Sequence, residues 1–419
     1  MFQKRYFVSF AIAAAVAGSL SARDLKVTVM NDNDLWWLAP EHPSFVLQVA
    51  DTLGNTNNST LRIAVTTDDF KPLQEDEVQL NIAKGMPTIV NFDAPVDLPG
   101  FYRLSAYDGD NKVLDVNFGF EPENIVSLPD NMPDIRAFWD KAIAELAEVD
   151  PQYSVTELTE KSGESRKMYL VEMQSLGGDT IRGYLMLPVK EGKYPAKIYY
   201  NGYGAQPWDM DPESNPELIE FQTYVRGQGL NLPYNKYGDW VVYNLEDIDN
   251  YYYRGAFMDV IRFMDFIYQL PQTDTRNIFT EGGSQGGALT LVSGALDHRV
   301  NAIAPYIPFL SDYPDYFRIV HWPGEVVKNA AKEKGMTDEE MYRNLSYFDI
   351  KNLARWIDCP VLMGVGLQDP TCPPHTNFAG YNLIDAPKEF VIYRDLGHTV
   401  DYSDWNPRVT EFYRKHTVK

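Results

Sequence analysis

Positive charge is in short supply in this chain: Lys and Arg number 37 against 59 Asp and Glu over 419 residues, a formal net charge of −22. A surface this acidic repels phosphate backbones, so no nucleic-acid partner is expected. Cysteine is nearly absent, with only Cys359 and Cys372. Two thiols do not make a disulfide scaffold, and a chain that is 44% hydrophobic can bury a core without one. Their places, at a strand start and in the following loop, suggest packing rather than a bridge. There is no His-Glu-x-x-His string and no paired Cys/His spacing, so no metal and no other cofactor is expected. Beyond the first residues, no run is long and apolar enough to cross a bilayer.

What is present begins with an export signal. Lys4 and Arg5 precede an uncharged, mostly apolar run from Phe7 to Leu20, and Ser19-Leu20-Ser21-Ala22 supplies small residues for cleavage after Ala22. Residues 1–22 therefore read as a signal peptide, and the mature chain as periplasmic or secreted, with no integral membrane segment left after cleavage.

Residues 23–120 read as an all-β domain. Leu25-Lys26-Val27-Thr28-Val29 and Phe45-Val46-Leu47-Gln48-Val49 alternate with period two, and similar runs start at Leu61, Thr88, Phe101 and Val113. Turn residues separate them, which predicts a small, immunoglobulin-like sandwich. A proline-bearing linker over 122–133 follows, then an amphipathic helix over Asp134–Val149. From 121 to 419 strands and helices alternate, the signature of a mostly parallel sheet. Strands are predicted over Met168–Gln174, Ile181–Leu187, Ala196–Tyr200, Phe221–Val225, Asn277–Glu281, Ala302–Ala304, Pro360–Gly366 and Glu389–Tyr393. Helices are predicted over Gly255–Gln269, Gln285–Leu296, Thr376–Asn382 and Pro407–His416. An aromatic stretch over about 306–355 interrupts the alternation and is expected to cap the sheet's C-terminal edge.

The most informative string is Ile278-Phe279-Thr280-Glu281-Gly282-Gly283-Ser284-Gln285-Gly286-Gly287-Ala288-Leu289. It places Gly282-x-Ser284-x-Gly286 between an apolar strand and an apolar helix. A serine at the apex of so sharp a turn needs glycines two positions either side, because larger residues would collide with strand and helix. The N–H of Gln285, at the helix start, then points toward a developing oxyanion. An α/β-hydrolase fold follows, and with it a triad in the order Ser, acid, His. Asp369 ends the buried run Pro360–Leu367 on the catalytic edge. His398 ends the loop after Phe390–Tyr393. Of the six histidines, His42 lies in the β domain, His416 near the C-terminus and His298 at the far end of the helix after Ser284. His321 falls in the aromatic stretch, and His375 follows Asp369 too closely. Ser284 is thus the expected nucleophile, His398 the general base and Asp369 the group that orients it.

With these residues in view, the chain resembles carbohydrate esterase family seven, the acetyl xylan esterase and cephalosporin-C deacetylase family. The resemblance rests on Val225-Arg226-Gly227-Gln228-Gly229, on Gly282-Gly283-Ser284-Gln285-Gly286 and on Gly397-His398-Thr399, supported by Asn201-Gly202-Tyr203-Gly204 and Tyr251-Tyr252-Tyr253-Arg254-Gly255. It covers about 122–416 and leaves the β domain out. It implies that Tyr203 joins Gln285 as a backbone oxyanion donor, and that Arg226, Gly227 and Gln228 brace the site. A simple structural turn is the other reading of that triplet. Thr399 departs from the family pattern, which has glutamate there. The resemblance implies removal of O-acetyl groups from acetylated saccharides, and a homo-oligomer. A serine peptidase, a general carboxylesterase and a non-catalytic carbohydrate-binding protein are the competing readings. The aromatic residues Tyr306, Phe309, Tyr313, Tyr316, Phe317 and Trp322 are either sugar-stacking surfaces or core.

Overall fold

The computed structural model describes residues 23–55 and 57–419. The signal peptide expected at 1–22 lies outside them. Period-two alternation organises the N-terminal part into two sheets. Leu25–Val29, Ser44–Asp51 and Thr88–Asp93 pair antiparallel as a three-stranded sheet. Trp36–Trp37, Asn111–Phe120, Gly100–Asp108, Asn57–Thr67 and Pro72–Ile82 form a five-stranded one. Phe45, Leu47 and Val49 from one sheet meet Leu61, Ile63, Val65 and Leu104 from the other in a shared core. Pro72–Ile82 is not among the expected strands. Its acidic Glu75-Asp76-Glu77 hides the alternation, and it sits at a sheet edge, where exposed charge deters pairing with other chains.

The second part is built on a nine-stranded sheet. In order across it lie Lys388–Tyr393, Val361–Gly366, Ala302–Tyr306, Thr273–Gly283, Tyr194–Tyr200, Ile219–Tyr224, Thr180–Pro188, Arg166–Gln174 and Ser154–Glu157. The first six run parallel and the last three antiparallel. Every residue of Ile219–Tyr224 and of Val361–Gly366 is buried, as expected of strands covered on both faces. Helix Gln285–Leu296 is buried along its whole length and lies inside the fold, which is why it is apolar all round. This is the α/β-hydrolase architecture preceded by a strand-rich domain.

Several boundaries move. Helix Tyr402–His416 starts a turn and a half before Pro407, which lies inside it. Reading the proline as a helix start misplaced that end. The aromatic stretch, for which no helices were predicted, contains four: Tyr313–Ile319, Gly324–Glu333, Asp338–Ser346 and Ile350–Leu353. Phe309, Tyr313, Tyr316 and Phe317 are buried core, whereas Trp322 stays 40% exposed.

The sandwich is fused to the sheet rather than tethered to it. One apolar cluster runs from Phe45 and Phe118 through to Met363, Val365, Leu367 and Phe378. Polar contacts then grip the loops at the sheet's C-terminal edge. Asn117 N–H donates to Gln368 Oε1 at 2.7 Å, and Gln368 Nε2 donates back to the Asn117 carbonyl at 3.1 Å. Arg394 donates to the carbonyls of Asn31 and Asn33. His375 Nδ1 lies 2.7 Å from Asp68 Oδ2. Among the described residues no helix is long and apolar enough to cross a membrane.

Candidate active site

Strand Thr273–Gly283 hands over to helix Gln285–Leu296 through one residue, Ser284, at φ 58° and ψ −122°. A side chain in that region costs on the order of 1–3 kcal/mol and persists only where the surroundings over-determine it. Here the backbone is pinned on both sides. Ser284 N–H donates to the Tyr306 carbonyl, and Phe309 N–H donates to the Ser284 carbonyl, each at 3.1 Å. The flanking glycines are needed for space. A Cβ on Gly282 would stand 2.5 Å from the Gly286 carbonyl oxygen, and one on Gly286 2.2 Å from the Tyr200 carbonyl oxygen.

Asp369 and His398 meet this serine from the loops after strands Val361–Gly366 and Lys388–Tyr393. Asp369 is buried at the end of strand Val361–Gly366, and its Oδ1 accepts N–H bonds from Thr371 at 2.8 Å and Cys372 at 2.9 Å. Its Oδ2 lies 2.8 Å from His398 Nδ1, and His398 Nε2 lies 3.0 Å from Ser284 Oγ. Three side chains up to 114 positions apart thus form one hydrogen-bonded chain. The imidazole is 30% exposed, so the far side of the relay is open to a ligand. Thr399 N–H closes a tight turn onto the Gly397 carbonyl at 2.7 Å, holding His398 in place without a glutamate after it. His298 and His321 sit beside Asp358 and Glu325 on the surface, and His375 is taken by Asp68.

Gln285 is the first residue of its helix, where backbone N–H groups have no intrahelical acceptor. Tyr203 lies in the turn after Tyr194–Tyr200, its phenol donating to Asp239 Oδ1 at 2.9 Å. Gln228 connects the two. Its Oε1 accepts from Asn201 Nδ2, from Gly204 N–H and from Gln285 Nε2, all at 3.0 Å. Its Nε2 donates to Gln285 Oε1 at 3.0 Å and to Tyr252 Oη at 2.8 Å. Arg226 points away, into a buried ion pair with Asp259, with Asp179 and Ser175 completing its shell. Gly227 has φ 69°, and a Cβ there would stand 2.7 Å from Asn235 Oδ1. The triplet is therefore a tight turn that also sends Gln228 into the site.

Cys359 and Cys372 are free and buried. Cys372 sits beside Asp369, a neighbour the sequence reading missed, and there burial and then the carboxylate push its thiol well above the ordinary range. Cys372, Asp369 and His398 could offer three metal ligands, as could Asp312, Asp315 and His375. In both groups the carboxylates are engaged already: Asp369 as above, Asp312 by Lys351 and Ser127.

A cavity of about 690 Å3 opens at Ser284 and His398 and runs along one face of the sheet. Its walls include Tyr306, Tyr402, Trp208, Lys197 and Glu281. The last three escaped the sequence reading, although a charged residue in each of two apolar strands was a visible signal.

Comparison with known proteins agrees with this architecture. The family described as acetyl xylan esterase (AXE1) matches residues 127–416. Acetyl esterase Axe7A of Xylanibacter ruminicola is 30% identical over 335 residues, 74% of each chain. An acetyl xylan esterase from Paenibacillus sp. R4 is 29% identical with a TM-score of 0.65, covering 70% of this chain and 98% of its own. Acetyl xylan esterase 1 of a Thermoanaerobacterium species is 28% identical with a TM-score of 0.61, covering 71% and 98%. On the strength of a match that spans the whole catalytic sheet, this chain belongs to the acetyl xylan esterase family of α/β-hydrolase carboxylic-ester hydrolases.

Proposed function

We propose that this protein removes O-acetyl groups from acetylated saccharides, xylan-derived oligosaccharides among them, through an acyl-enzyme on Ser284. The observation that carries the reading is the unbroken chain from Ser284 Oγ through His398 to Asp369 Oδ2. Serine is a poor nucleophile at neutral pH, so His398 Nε2 takes its proton as Oγ attacks the ester carbonyl. Asp369 holds the Nδ1–H tautomer and stabilises the imidazolium. The N–H groups of Tyr203 and Gln285 receive the oxyanion. As the intermediate collapses, His398 gives the proton to the departing sugar oxygen, which leaves as a hydroxyl. Water, activated by the same imidazole, attacks the acetyl-serine and releases acetate.

Purified protein should release acetate from acetylated xylo-oligosaccharides, and Ser284→Ala should slow it by about three orders of magnitude or more. Near-normal rates in that variant would sink the assignment. We further infer export through a signal peptide at 1–22, so that sequencing of the mature protein should begin at Arg23. A homo-oligomer is also proposed, to be checked by light scattering on the mature chain.

A further inference from the structure

The active-site cavity does not end at the nucleophile. It continues along the sheet face bounded on one side by helix Tyr402–His416 and on the other by the segment 201–218, which contains no helix. On its floor, neighbouring strands present a lysine and a glutamate. Lys197 and Tyr199 project from Tyr194–Tyr200, and Glu281 pairs across from Tyr199 on Thr273–Gly283. Glu281 stands three residues before Ser284, roughly 10 Å along the strand at the usual rise.

Both charged groups are largely buried, with side-chain exposures of 15% and 7%. Neither is saturated. Lys197 Nζ is 3.5 Å from Glu281 Oε2 and 3.9 Å from Glu220 Oε1, and it lies over the Tyr199 ring at 4.3 Å. Both carboxylate distances exceed a good N–H···O bond. An ammonium carries three donors, so Lys197 keeps hydrogen-bonding capacity for a ligand in the cavity. Glu281 Oε1 accepts from Trp405 at 3.2 Å, while among the described residues Oε2 faces the lysine at 3.5 Å. A donor and an acceptor side by side on a cavity floor match a pair of adjacent hydroxyls, each of which gives and takes a hydrogen bond. Trp208, 45% exposed and edge-on to Tyr199 at 6.0 Å, adds an aromatic wall, and Asn215 and Asn406 supply amides. The floor is not an anion site. Lys197 faces two carboxylates, and the other local cation, Arg166, is held by Glu220.

We propose that Lys197 and Glu281, walled by Trp208, form a saccharide subsite that binds the hydroxyls of a neutral sugar whose acetyl ester lies at Ser284. This rests on reading Ser284 as the nucleophile of a sugar esterase. It makes the sugar, rather than the acetyl group alone, the moiety the protein selects.

The test compares kcat/KM on acetylated xylo-oligosaccharides with kcat/KM on 4-nitrophenyl acetate, which carries no hydroxylated ring, using the mature chain. Trp208→Ala removes the wall at an exposed position. Lys197→Met combined with Glu281→Gln removes both charges together, so that neither is left buried and alone. The double variant should lower the saccharide-to-aryl ratio by about tenfold or more, the loss expected when contacts to charged groups go, and Trp208→Ala by about fivefold, the loss of an aromatic contact, each mainly through the saccharide KM. A ratio within twofold of wild type in both variants would overturn the subsite. Equal losses on both substrates through kcat would also overturn it, by showing a structural role. A wild-type preference for uronate-bearing oligosaccharides that Lys197 mediates would refute the neutral-sugar assignment. Wild-type protein that cleaves the aryl ester but no acetylated saccharide would bring down the parent reading, an outcome distinct from any failure of the variants.

Discussion

Replacing Gln228 with alanine tests how the proposed oxyanion donors are held. The side chain is fully buried and its amide links four residues: Asn201, Gly204, Tyr252 and Gln285. Several of these have a second partner. Asn201 Nδ2 also reaches the Gly202 carbonyl, and Gln285 Oε1 also accepts from Tyr253. Gly204 N–H, next to Tyr203, is the group that depends on Gln228. One stranded N–H, several lost hydrogen bonds and the void left by the side chain come to about 3–5 kcal/mol. Complete loss of one oxyanion donor costs about 100- to 1,000-fold in kcat. A loosened rather than deleted Tyr203 N–H should therefore cost about 10- to 100-fold, with KM little changed. Gln228→Glu keeps the three acceptances but sets a buried carboxylate oxygen against Gln285 Oε1, so it should be at least as damaging as alanine. Denaturant unfolding and initial rates on an aryl acetate read both effects. A Gln228→Ala protein within about 1 kcal/mol of wild-type stability, with kcat within twofold, would refute the reasoning.

Gly286→Ala should fail to fold or lose several kcal/mol, since its Cβ meets the Tyr200 backbone oxygen at 2.2 Å; a thermal melt close to wild type would contradict this. Gln368→Ala should uncouple the sandwich from the loop that carries Asp369, because its amide bonds Asn117 and the Arg394 carbonyl; a several-fold drop in kcat at near-constant KM is expected, and a change confined to stability would argue against it. Buried Asp349 accepts backbone N–H bonds from Asp312, Tyr313 and Lys351, and burial lifts its carboxyl from 3.8 to about 7. The folded state keeps that proton where the unfolded chain has lost it, so this group's stabilisation declines as pH rises from 3.8 through about 7. Calorimetry should find a melting temperature that falls across this window in wild type and falls less in Asp349→Asn; parallel slopes would rule out the assignment.

Some of this was legible before any coordinates. The strands Ser44–Asp51 and Tyr194–Tyr200 announce themselves through alternation or apolar runs, and the elbow through its glycines. Pro72–Ile82 was missed because its charges face solvent at an edge and mask the period. The helices of 313–353 were missed because dense aromatics buried against the core blur the apolar stripe.

Ser284, Asp369 and His398 could be named from the chain alone because each is marked locally. Backbone sterics force glycines around a serine at φ 58°, and parallel crossovers put Asp369 and His398, the proposed acid and base, on loops after successive strands. No local rule brings Gln228 to Gln285, Asn117 to Gln368 or Lys197 to Glu281. Those pairings depend on strand register and on how two sheets dock, and so they are decided by packing between segments that the chain order leaves far apart.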